Sequence, residues 1–170
     1  MMALRRATVL VGLVLILAFF NWSVVQKEAL LRDGTPLLIE LAPVDPRSLI
    51  QGDYMRLEYR IARDISGHYD WPRDGHIVVT AGEDNVAIFV RRHTEGTPLA
   101  AGEHLLYYRR RGGRIKIGTD AFFFQEGHAS RYARAKYGEL RVDASGESLL
   151  IGLRDEQRQP LGAEPEPGLP

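Results

Sequence analysis

Three carboxylates stand where turn chemistry meets a strand or a helix: Asp45, Asp53 and Glu126. Two carboxyl groups brought into one site drive their pKa values apart, so that one can serve as acid and the other as base. That pairing is the constellation in this chain best suited to catalysis, and it would make the protein a hydrolase. Each member also has a structural occupation. Asp45 precedes Pro46, a helix-start signal in which the carboxylate accepts backbone N–H groups and the proline takes the first helical position. Asp53 can pair with Arg47, and Glu126 precedes a helical stretch, near the positive end of its dipole. Gly52 suits the end of a short helix, and Tyr54 follows Asp53 at the junction with a strand. After caps, turns and strand faces are assigned, Arg47, Asp53 and Tyr54 keep identities that local structure does not require. With Glu126 they form the candidate binding set; no residue is assigned as catalytic.

Other chemistries find little footing. The chain has no cysteine, which excludes disulfides, thiol nucleophiles and thiolate metal sites. His68, His76, His93, His104 and His128 lack the spacing of metal-binding motifs. Ser48 is the serine within the Asp45–Tyr59 segment, and at the third position of a short helix it reads as a polar turn residue. No nucleophile elbow, phosphate loop or dinucleotide fingerprint occurs. No cofactor or metal is therefore expected. The formal net charge is zero, so no overall attraction to polyanions follows. The run Arg109-Arg110-Arg111-Gly112-Gly113-Arg114-Ile115-Lys116, after Tyr107-Tyr108, resembles a nucleic-acid strip in composition. On a domain outside the cytoplasm, lipid headgroups or an acidic protein face suit it better, and no nucleic-acid partner is expected. A solvated hairpin tip is the plainer account of the same residues. Tyr69 and Trp71, in the loop Asp64–Gly75, either present a binding surface or fold back on the core.

The elements that position these residues follow from periodicity. Arg5 and Arg6 precede an apolar run from Ala7 to Val25, whose ~19 helical residues span about 28 Å, close to a bilayer's hydrocarbon thickness. Flanking positive charge favours a cytoplasmic N-terminus, and the absence of a small-residue cleavage pattern favours an uncleaved anchor. From Thr35 onward short strands alternate with turns: Leu37–Leu41, Tyr54–Ile61, Ile77–Ala81, Val86–Arg91, Leu105–Arg110, Arg114–Ile117, Leu140–Val142 and Leu149–Leu153. Met55, Leu57, Tyr59 and Ile61 alternate with charged residues, as in a strand with one buried face. His128–Tyr137 has helical spacing, with Gly138 as its stop. The expected fold is mainly β (α+β): a transmembrane helix, then an antiparallel sheet or open barrel with one short helix. The expected divisions are an anchor over 1–34, a β-rich domain over 35–154 and a disordered Pro-rich tail over 155–170.

Gly52-Asp53-Tyr54-x-x-Leu57-x-Tyr59 resembles the signature of the GDYXXLXY family of membrane-anchored bacterial proteins. The resemblance extends to Ala42–Arg47, to Phe123–Gly127 and to Ala135–Val142, and covers most of Leu37–Leu153. It implies a domain facing the cell envelope from the inner membrane, often encoded beside multi-span membrane proteins, and brings no catalytic residues. The expected function is accordingly a binding or accessory module for a neighbouring membrane protein. The alternative is the carboxylate-pair hydrolase.

Overall fold

Helix α1 runs unbroken from Met2 to Asp33. In this computed structural model, which describes residues 2–42, 54–67, 70–82 and 84–162, it stands apart from a mainly β, half-barrel domain. Apolar side chains from Val9 to Val25 are exposed around the helix. A helix that is apolar on all sides requires a non-aqueous surrounding, and Val9–Asp33 is long and apolar enough to cross a membrane. The last turns behave differently. Leu30 is buried, and Lys27 pairs with Glu147 at 3.5 Å. Gly34 donates its N–H to the Leu30 carbonyl at 3.0 Å, while its own carbonyl accepts from Arg141 Nη1 at 3.0 Å. Strand β1 (Thr35–Glu40) follows at once, so helix and domain are joined without a loop.

One sheet has the order β1-β8-β9-β10, with β8 at Tyr137–Val142, β9 at Ser148–Arg154 and β10 at Pro160–Leu161. A second has the order β4-β3-β5-β6, built from β3 (Asp74–Ala81), β4 (Ala87–Arg92), β5 (Glu103–Arg111) and β6 (Arg114–Ile117). A short pair, β2 (Tyr54–Arg56) with β7 (Ala121–Phe123), stands between them in the chain's connectivity. All ladders are antiparallel: β3–β4, β5–β6, β8–β9 and β9–β10 join consecutive strands, whereas β1–β8, β2–β7 and β3–β5 pair strands that are not consecutive in the chain. The β5–β6 turn takes Gly112 at φ 56° and Gly113 at φ 79°, the doubly positive geometry that a tight hairpin requires and that side chains resist.

The large sheets join at two seams. Leu38 forms a parallel bridge to Val86, and Tyr107 donates its N–H to the Gly146 carbonyl at 2.8 Å. Between them lies one core that includes Leu37, Ile39, Ile77, Leu106, Ile117, Leu140 and Leu153. Trp71 belongs to it. Its ring is 1% exposed, meets Tyr108 edge-on at 5.0 Å, and donates Nε1–H to the Ile65 carbonyl at 2.8 Å. Of the two possibilities for Trp71, the structure takes the inward one; Tyr69 lies outside the described residues.

Several boundaries differ from expectation, and β7 (Ala121–Phe123) corresponds to no expected strand. The strand expected over Tyr54–Ile61 ends at Arg56, with Tyr59 forming an isolated bridge to Leu41, and Arg60–Ile65 form helix α2, which buries Ala62 and Ile65 at helical spacing. The expected helix over His128–Tyr137 shrinks to α3 (Ala129–Tyr132), because Tyr137 pairs with Glu40 and begins β8. The polar stretch from Asp155 does not leave the domain at once. Asp155 is buried, its carboxylate accepts from the Gln159 N–H at 2.8 Å, and β10 then pairs with Leu153 and Arg154.

Candidate functional site

The strand that carries the signature joins the small β-pair to the large sheet. In register, Tyr54 faces Phe123, Met55 faces Phe122 and Arg56 faces Ala121. Beyond Arg56 the Leu57 N–H donates to the Asp120 carbonyl at 2.9 Å. On the opposite side, Ala42 donates to the Glu58 carbonyl at 2.7 Å, and Tyr59 bridges Leu41. Met55, Leu57 and Tyr59 all point into the core, as their alternation requires. The Tyr59 hydroxyl is buried with no hydrogen-bond partner among the described residues. Burial first, and then the nearby Asp120 carboxylate, push this phenol well above the usual tyrosine range, so it stays neutral.

The other face of this strand opens toward solvent. Tyr54 is half-buried, and its ring centroid lies 5.8 Å from that of Phe123, whose side chain is 74% exposed. Phe123 forms one wall of an open groove of about 640 Å³ that also takes in Tyr107, Arg109, Arg111, Lys116 and Leu149. Lys116 pairs with Asp120 at 3.2 Å, and the hydrogen bond from Lys116 holds the Asp120 carboxyl below the usual range. The Arg109 guanidinium lies 5.4 Å from the Tyr107 ring centroid. Cations and apolar rings share one concave surface, an arrangement suited to an anionic ligand with apolar parts.

Of the expected site residues, Tyr54 borders this groove through its contact with Phe123 and does not itself line it. Arg47 and Asp53, like Asp45 and Ser48, lie outside the described residues. Glu126 lies in the exposed turn between β7 and α3 and makes no hydrogen bond or ion pair among the described residues. No group of histidines and carboxylates among the described residues could hold a metal ion. Phe123 escaped sequence reasoning as Tyr54's partner. Phe122, Phe123 and Phe124 are consecutive in the sequence, but only the register with β2 turns Phe123 outward while Phe122 and Phe124 pack near Tyr132 at centroid distances of 5.0 and 5.2 Å.

These features define a β-rich half-barrel domain carried on a helix able to cross a membrane. The sequence profile of the GDYXXLXY protein family matches residues 16–153, and the chain belongs to that family, whose function is unknown. No curated protein and no solved structure matches it.

Proposed function

We propose that the protein is an envelope binding or accessory module, anchored in the bacterial inner membrane, that serves a neighbouring membrane protein. The carrying observation is the direct junction of α1 with the sheet. Leu30 is buried in the domain and Arg141 clasps the Gly34 carbonyl, so the helix holds the domain at a set distance and attitude. A domain so held meets partners of the same membrane at high effective concentration. Arg5 and Arg6 before the span orient the N-terminus to the cytoplasm and the β-domain to the periplasm. The anchor takes residues 1–34, and the β-domain extends past 154 to include β10. Arg47, Asp53, Tyr54 and Glu126 are the proposed binding residues, with Phe123 added through its contact with Tyr54. The hydrolase alternative draws no support from Glu126, which stands exposed.

A photoreactive residue at Tyr54 or Phe123 in native membranes tests this reading. The expected result is an adduct with one membrane protein, missing when the probe is moved to exposed Ile88 on β4. Equal labelling at the three positions, or a reporter after Gly34 active only in the cytoplasm, would overturn it.

A further inference from the structure

The groove beside the signature strand borders a sheet edge. Ser148, Leu149 and Leu150 of β9 line it, while β8 contributes no lining residue. β9 pairs with β8 from Ser148 to Arg154, with a register shift that leaves Ile151 without a partner on β8, and on its second side β10 reaches only Leu153 and Arg154. Among the described residues, Ser148–Gly152 therefore present an unpaired edge, which at about 3.4 Å per residue is about 17 Å long. Such an edge is a template for a further strand. Proteins blunt exposed edges with lysine, proline, inward charge or a bulge. The run Ser148-Leu149-Leu150-Ile151-Gly152 has no charge and no proline; its one irregularity is the register shift at Ile151, whose side chain is exposed.

The charges around this edge are unevenly matched. The two acidic residues lining the groove are engaged, Asp120 by Lys116 at 3.2 Å and Glu147 by Lys27 at 3.5 Å. Arg111 forms no salt bridge among the described residues, although the Asp120 carboxylate feels its charge, and Arg109 is hydrogen-bonded to Tyr107 with Glu147 and Asp74 in its field. Each guanidinium carries five N–H donors, so donors remain that a carboxylate from outside can engage by a charge-assisted hydrogen bond. On the facing wall Phe123 offers an exposed ring against which apolar side chains can pack.

We propose that this groove takes an extended acidic segment of a partner protein, which adds to the free edge of β9 as a strand and directs carboxylates to Arg109 and Arg111. This rests on the binding-module reading and gives that module's partner a conformation and a charge.

The test uses the full-length protein in detergent micelles and two capped peptides, one alternating glutamate with valine and one alternating lysine with valine. At about ten times the dissociation constant, the glutamate peptide slows amide exchange over Ser148–Gly152 about tenfold, as linkage requires. The lysine peptide leaves exchange unchanged. The double variant Arg109→Glu/Arg111→Glu, with its melting temperature checked, loses the protection and gains it with the lysine peptide. Protection confined to other strands, or equal protection by both peptides, overturns the proposal. Photocrosslinking from Leu149 in native membranes separates this idea from the broader one. An adduct with an acidic stretch of a membrane protein supports it. Adducts from Tyr54 and Phe123 without one from Leu149, or a Leu149 adduct to the chain's own residues 163–170, refute the groove while leaving the binding module standing.

Discussion

The Tyr59 ring fills the space that a side chain at position 138 would need. A Cβ on Gly138 would come within 3.0 Å of Tyr59 Cε1 and 3.2 Å of Leu150 Cδ1. The last residue of the signature and a glycine of β8 are thus one packing unit. The Tyr59 backbone bridges Leu41, and Gly138 pairs with Ile39, so both the ring and the main chain tie the signature strand to the β1–β8 ladder.

Gly138→Ala should therefore destabilise the domain through overpacking, by about 1–3 kcal/mol. Chemical denaturation followed by the buried Trp71 measures it. An unchanged midpoint would show that the Tyr59 ring has room to retreat.

Tyr59→Phe should act in the opposite direction. It removes a buried hydroxyl that has no partner among the described residues, and stability should rise by about 1 kcal/mol. The pH dependence carries a sign. The folded phenol titrates above its unfolded value of about 10. Its contribution is fully present below that value and declines as pH rises toward the folded pKa, by about 1.4 kcal/mol per unit. Burial raises Tyr108 as well, so the phenylalanine variant should lose only part of the alkaline slope. A variant less stable than the parent at neutral pH would show that the hydroxyl is satisfied.

Glu40 controls the acid side. It accepts from Arg60 Nη1 at 2.8 Å and pairs with Lys136 at 3.2 Å, linking β1 to α2 and to the start of β8. Burial pushes its carboxyl up, but hydrogen bonds from Arg60 and Lys136 together pull it further down, below the usual range. A depressed folded pKa stabilises above the unfolded value of about 4.3, and this is lost as pH falls through the folded one. Glu40→Gln should cost about 0.5–1 kcal/mol at pH 7, the discount reflecting a half-exposed Arg60. The difference between the two proteins should vanish in acid. A pH-independent difference would mean that packing, not charge, is responsible.

The two tryptophans report on the membrane separately. Trp22 on α1 is 62% exposed, whereas Trp71 is enclosed by the domain core. Reconstituted in vesicles with brominated lipid, the protein should lose the Trp22 emission and keep that of Trp71. Trp22→Phe should abolish the quenching. Quenching that survives in Trp22→Phe, or never occurs, would contradict insertion of α1.

Elements whose cause is local are legible in the order of the amino acids. The apolar run from Ala7 to Val25 makes the middle of α1, and paired glycines at 112 and 113 make the β5–β6 turn. Alternation correctly turns Met55, Leu57 and Tyr59 inward. It misleads at Ile61, because Ala62 and Ile65 follow at helical spacing and the chain bends into α2. Helical spacing misleads over His128–Tyr137 for the converse reason: the pairing of Tyr137 with Glu40 outweighs local propensity.

What the amino-acid order alone decided, then, was the long apolar helix, the mainly β character and the family signature, because each rests on neighbours in the chain. Tertiary structure alone decided that Tyr54 meets an exposed Phe123, that Tyr59 packs on Gly138, and that β9 has an open edge beside Arg109 and Arg111. Those relationships depend on register between strands far apart in sequence. A shift of one residue would turn each side chain to the opposite face.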